Sequence, residues 1–120
     1  MGHMNTQFYA ALYDGASFHF LSMLAPYNSL KESGLGWADV RQTIEYKHEV
    51  RMGSLLVVKT VLKRLGNKSV EYRHEVLNAE GGELHSTSEQ VTVLFDLNRR
   101  AAAPLTDAIR ARGAALVLEG

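Results

Sequence analysis

Asp14 is the only carboxylate between Asn5 and Leu24, and it stands among Leu12, Tyr13, Gly15 and Ala16. A carboxyl group in such surroundings needs a partner or holds its proton more tightly, and either condition suits a general base. Just upstream, Asn5 and Thr6 are residue types that cap the first turn of a helix. The backbone N–H groups of a first turn have no intrahelical partner, so Asn5, Thr6 and Gln7 mark a place where a negatively charged oxygen is stabilised. Capping and anion binding are compatible roles there. The chain has no cysteine, which excludes thiolate nucleophiles, disulfides and cysteine metal sites. Its five histidines, His3, His19, His48, His74 and His85, show no metal-site spacing, and no G-x-S-x-G element marks a serine nucleophile. His48 and His74 sit on the apolar phase of alternating segments, His19 reads as helix packing, and His85 as a surface or interface residue.

The elements that hold these residues follow from periodicity. Asn5 to Leu24 reads as one helix, with Phe8, Leu12, Ala16, Phe20 and Met23 at helical spacing and apolar residues most of the way round. Such a helix is expected to be buried on nearly all sides. Pro26 helps end it, and "YNSLKESGLGWADV" reads as a surface loop broken by Gly34 and Gly36. The period then changes to two. Val40, Ile44, Tyr46, His48 and Val50 alternate with charged and polar residues, the pattern of a half-solvated antiparallel strand. Gly53, Gly66-Asn67 and "AEGGE" mark turns between it and three more strands, "SLLVVKTVLKRL", "KSVEYRHEVL" and "LHSTSEQVTVLFDL". "PLTDAIRARGAALV" forms a short terminal helix after Pro104. The expected order is one helix and a four-strand meander wrapped round it, with open edges that favour pairing into a dimer.

At 120 residues, 46% hydrophobic, the sequence suits one domain over 1–120 with a real core. Thirteen basic residues balance thirteen acidic ones, which gives no support to general nucleic-acid binding. No apolar run approaches a membrane span and no secretory leader is visible, so a cytoplasmic location is expected.

Taken in order, several short pieces resemble a known family. They are G-H-M-N at residues 2–5, Tyr9 four residues past Asn5, "YDGAS" in mid-helix, "IEY", Met52-Gly53, "RLGNKS", "GGEL" and "LFDLNRR". The set, from Gly2 to about Arg100, resembles the hotdog-fold acyl-CoA thioesterases of the 4-hydroxybenzoyl-CoA thioesterase type. Gly2-His3-Met4 are accordingly read as native residues rather than a cloning scar. The resemblance implies an α+β hotdog fold, one long central helix cradled by a curved antiparallel sheet, in which a first strand precedes the helix. Many relatives also carry a catalytic aspartate about three residues before the glycine. Both would fall ahead of Met1, so the first strand is expected to be missing here and Asp14 is the best visible carboxylate.

The activity implied is hydrolysis of an acyl-CoA thioester to free acid and coenzyme A. Backbone amides at Asn5 and Thr6 would hold the oxyanion, His3 and Asn5 would shape the site, and Asp14 would activate water. Two helical turns separate Asp14 from Thr6, so both are expected to line one groove. Lys63, Arg64, Lys68, Arg99 and Arg100 are the candidates for the coenzyme A phosphates, arginine being suited to phosphate by its forked donors. No metal or further cofactor is needed, and a homodimer or dimer of dimers is expected, with the site at the interface. The alternatives are a non-catalytic hotdog module that binds an acyl thioester or a partner protein, and a thioesterase acting on acyl carrier protein.

Overall fold

A computed structural model describes residues 6–51 and 53–119. Its elements are α1 (Thr6–Leu24), α2 (Tyr27–Glu32), β1 (Leu35–Tyr46), β2 (Leu56–Leu65), β3 (Ser69–Asn78), β4 (Leu84–Asp96), β5 (Ala101–Ala102) and α3 (Asp107–Glu119). All sheet pairings are antiparallel and the order is β1-β4-β3-β2, with β5 beside the end of β4. A simple meander would put β1 next to β2. Instead they form opposite edges, because the long connection after β1 lets that strand add to the far side of β4.

The one helix expected up to Leu24 is present, and α3 is the terminal helix expected after Pro104. The segment after Pro26 is a correction. Tyr27–Glu32 is helical, held by Ser29 N–H and Leu30 N–H donating to Pro26 O and by burial of Leu30. Gly34 (φ +72) then turns the chain directly into β1, five residues earlier than the period-two pattern indicates. A side chain there would be strained by its backbone and would also crowd Asn98. β1 is not the clean amphipathic strand expected either. Its register slips between Asp39 and Arg41, and Val40 and Tyr46 are exposed while Ile44 is half-buried.

α1 lies on the inner face of β3 and β4. Tyr9, Tyr13, Ser17, Phe20 and Leu24 form its buried stripe, whereas Phe18 is 64% exposed and Met23 45%. The expectation of burial on nearly all sides is therefore met on one face only. Beneath the C-terminal half of α1, Phe20, Leu24, Tyr72, Leu94 and Ile109 make the larger apolar cluster. Tyr9, Tyr13, Val50 and Val76 make a smaller one under its N-terminal half. Between them β4 contributes buried polar residues, Ser86, Ser88, Gln90 and Thr92. No helix among the described residues is long and apolar enough to cross a membrane.

Candidate functional site

α1 is described from Thr6 onward, and the amides of a helix's first turn have no internal partner. His3 and Asn5 lie outside the described residues. Asp14 follows Thr6 by eight residues, about 12 Å along the axis. It is exposed, not enclosed by the apolar neighbours that flank it in sequence. The reason is geometric: Leu12, Tyr13 and Gly15 leave the helix in other directions, and the buried stripe is centred on Tyr13 and Ser17. The spacing is the two helical turns expected between them.

The floor under α1 is a hydrogen-bonded polar band. Tyr13 OH donates to Ser86 Oγ at 2.6 Å, and Ser86 Oγ donates to Glu45 O at 2.9 Å. His74 is fully buried, with Ser17 Oγ 2.8 Å from Nε2 and Thr60 Oγ1 2.7 Å from Nδ1. Its ring stacks on Tyr13 and meets Tyr72 edge-on. Burial pushes the His74 imidazole down to about 4, so the ring is neutral near neutral pH. A neutral ring donates from one nitrogen and accepts at the other, which matches two hydroxyl partners. Tyr13 is pushed up to about 12, chiefly by burial, with the Ser86 hydrogen bond acting the other way. Tyr72 OH lies 2.9 Å from Thr92 Oγ1, which donates to Asp39 Oδ1. Through Tyr13 and Ser17 this band ties α1 to β3 and β4.

The other histidines fall differently from expectation. His48 is turned outward, 3.6 Å from Glu83, and His19 is exposed rather than packed. His85, expected at the surface or an interface, is 2% exposed; its Nδ1–H donates to His48 O while Nε2 has no partner. Among the described residues no group of three or more potential metal ligands occurs.

The five basic residues lie toward one end of the sheet, at the end of β2, in the β2–β3 turn and in the turn after β4. Lys63 lies with Arg41, Glu71 and Glu89 in a shallow hollow of about 310 Å³, on the sheet face opposite buried Tyr72. Arg64 is 3.5 Å from Glu71. Lys68 belongs to the β2–β3 turn, and Arg99 and Arg100 to the turn after β4, all three exposed. Two further cations that the sequence did not single out are Arg41, paired opposite Val91, and Arg110, which donates to Gly66 O from α3. Several hollows adjoin α1, among them one lined by His19, Phe20, Met23 and Leu116 and two others. Of those two, one runs between Leu12, Ala16 and His19 and the edge residues Val58 and Thr60 of β2; the other lies under α2 against Trp37.

A long helix laid on the inner face of an antiparallel sheet, on a polar band between two apolar clusters, defines the hotdog class of α+β protein. Residues 1–113 match the thioesterase-like superfamily, and the chain belongs to that family. Thioester hydrolysis is the reaction class that goes with it. None of the curated proteins matches the sequence. Among solved structures, hypothetical protein SAV2348 from Staphylococcus aureus, in complex with CoA, is similar at TM-score 0.91 and 15% identity, covering 98% of this chain and 75% of that one. YbaW, a probable thioesterase from Escherichia coli, is similar at TM-score 0.83 and 19% identity, covering 97% and 87%. A thioesterase from Thermus thermophilus, complexed with coenzyme A and Zn, is similar at TM-score 0.78 and 26% identity, covering 97% and 82%.

Proposed function

We propose that the chain hydrolyses an acyl-CoA thioester to the free acid and coenzyme A, with coenzyme A as part of the substrate and no separate cofactor. The observation that carries this reading is the family match over residues 1–113, on a helix that opens directly after Gly2-His3-Met4-Asn5. First-turn amides at Asn5 and Thr6 hold the carbonyl oxygen, with His3 shaping the entrance. Asp14 takes a proton from water as the water oxygen bonds to the carbonyl carbon. Collapse of the tetrahedral intermediate breaks the C–S bond, and the departing thiolate recovers the proton. With Thr6 and Asp14 about 12 Å apart along α1, this reading takes one of the two from a second copy. That requirement supports a homodimer or dimer of dimers. Lys63, Arg64, Lys68, Arg99 and Arg100 are assigned to the coenzyme A phosphates, and the setting is the cytoplasm, with neither nucleic acid nor membrane as partner.

A second reading is favoured by one observation, the exposure of Asp14: a module that binds an acyl thioester without turning it over. The full chain incubated with short, branched, long and aromatic acyl-CoAs, with free thiol followed, separates the two. Thiol release that falls on Asp14→Asn supports the hydrolase. Acyl-CoA binding with no release, unchanged by Asp14→Asn, supports the module.

A further inference from the structure

On the outer face of the sheet, the hollow of about 310 Å³ is lined by Arg41 of β1, Val91 of β4 and Lys63 of β2. Arg41 pairs with Val91, Val91 with Glu71, and Glu71 with Arg64, one row across four strands. A register slip falls at each end of this row. Asp39 is on the inner face, where Thr92 Oγ1 donates to it at 2.8 Å. Strict alternation would carry Arg41 to that same face. The slip between Asp39 and Arg41 turns Arg41 outward instead, and brings Gln42 inward to Ser88. On β2, Thr60 faces inward to His74, and the slip between Leu62 and Arg64 leaves both Lys63 and Arg64 on the outer face. A bulge that re-aims a side chain is a recurring device beside functional sites. Here two bulges, at opposite edges of the sheet, aim cations at one hollow.

Glu71 and Glu89 also line the hollow, but each faces an arginine of its own. Arg64 is 3.5 Å from Glu71, and Arg73 is 3.3 Å from Glu89 and 3.1 Å from Glu75. Arg41 and Lys63 enter no ion pair among the described residues. Thr43 adds a hydroxyl, and Val91 a half-buried apolar floor. The planar fork of a guanidinium and the point charge of an ammonium are the donors suited to phosphate. A phosphate monoester carries about two negative charges near neutral pH, which the two unpaired cations match. A cavity of about 150 Å³ admits benzene, so one of about twice that volume has room for a sugar with its phosphate.

We propose that this hollow binds the phosphate monoester of a ribose, with Arg41 and Lys63 on the phosphate oxygens and Val91 under the sugar. In a coenzyme A thioester that group is the phosphate on the 3′ carbon of the ribose. The ligand's identity as coenzyme A rests on the hydrolase reading above; the unpaired cations and the bulges that aim them do not. Arg41 is then a specificity-determining residue, remote from the bond that breaks. A thioester carried on a protein-bound phosphopantetheine has no ribose phosphate, so the hollow selects the free coenzyme over an acyl carrier protein.

Calorimetric titration of the full chain compares coenzyme A with dephospho-coenzyme A, which lacks only that phosphate. Coenzyme A binds about tenfold tighter, the effect expected of a hydrogen-bonded charge pair. The preference narrows as salt is raised, since both cations are exposed. Arg41→Gln, and separately Lys63→Gln, weakens coenzyme A alone and leaves dephospho-coenzyme A unchanged. Adenosine 3′,5′-bisphosphate against adenosine 5′-monophosphate repeats the comparison without the thiol arm. Equal affinities within either pair, no binding of any of the four, or a preference that survives both substitutions overturns the proposal, whether or not thioesters are hydrolysed. Inorganic phosphate that competes at the same concentration as coenzyme A overturns it too, leaving a site for a free anion only. A preference lost in both variants, with no acyl-CoA hydrolysed, upholds the hollow and overturns the hydrolase reading instead.

Discussion

His74 Nε2 lies 2.8 Å from Ser17 Oγ, so between the two apolar clusters the third strand and the central helix meet through an imidazole. Thr60 occupies the other ring nitrogen, and the ring is fully buried. Its proton affinity is lowered by burial from 6.5 to about 4. The unfolded chain therefore takes up a proton near pH 6.5 that the folded chain refuses until about pH 4. His74 contributes its full stability above about pH 6.5; the contribution is lost as pH falls through about 4, up to about 3 kcal/mol. Thermal unfolding measured from about pH 7.5 to 4 should show this fall, and His74→Gln should flatten it. An unchanged pH dependence in the variant would show that other groups set it.

Tyr13 anchors α1 one turn earlier, through its hydroxyl on Ser86. Tyr13→Phe keeps the ring stacked near Tyr9 and His74 but removes the donor. Ser86 still has Glu45 O to donate to, so nothing is left unsatisfied except one acceptor lone pair. The expected loss is about 1 kcal/mol in urea unfolding, with the m-value unchanged. A loss above roughly 3 kcal/mol would mean that the bond also fixes the helix position.

How far this band was legible in the sequence depends on the strand. In β3 the alternation of Val70, Tyr72, His74 and Val76 with charged residues marks the inner face directly, because both neighbours of the strand are present and every inner residue is buried. The same alternation misplaced β1. That strand lies at an edge, slips register at Asp39, and leaves Val40 and Tyr46 in solvent, so hydropathy and burial part company there. Strand order was not legible, since a turn signal such as Gly53 says that the chain bends and not which strand it pairs with next. α2 was hidden because Tyr27–Glu32 is too short for a helical period to stand out. The Ser17–His74–Thr60 contact joins residues far apart in the chain, and no local pattern carries it.

Gly113 governs how closely α3 approaches the edge strand. It is buried, and a Cβ there would stand 2.6 Å from Leu65 Cδ1 and 3.3 Å from Cδ2. Gly113→Val should force α3 away from β2 and cost roughly 1–3 kcal/mol, against a helix-propensity gain well under about 1 kcal/mol. Chemical denaturation of the variant measures it. No loss of stability would mean that Leu65 swings aside freely.

The free edge of β2 is where a second copy is expected to pair. Val57 is 49% exposed on that strand, and Leu55 just before it is 63% exposed. A lysine at such a position is a device by which natural edge strands resist pairing. Val57→Lys should shift the protein toward monomer in light scattering after size exclusion, with thermal stability in the monomeric state little changed. A dimer of undiminished mass would place the interface elsewhere.

Asp14 offers the sharpest separation of function from fold. Its side chain is exposed and stands outside the polar band, so Asp14→Asn should alter stability by no more than about 0.5 kcal/mol. As the group that takes the proton from water, its neutral amide replacement should lower kcat by about 10²–10⁴ while KM moves little. The two quantities measured on one preparation, by thiol release and by denaturation, give a result that a purely structural aspartate cannot imitate. Equal loss of both would assign Asp14 to the fold. Full activity in Asp14→Asn would move the water-activating role to another group of the assembly.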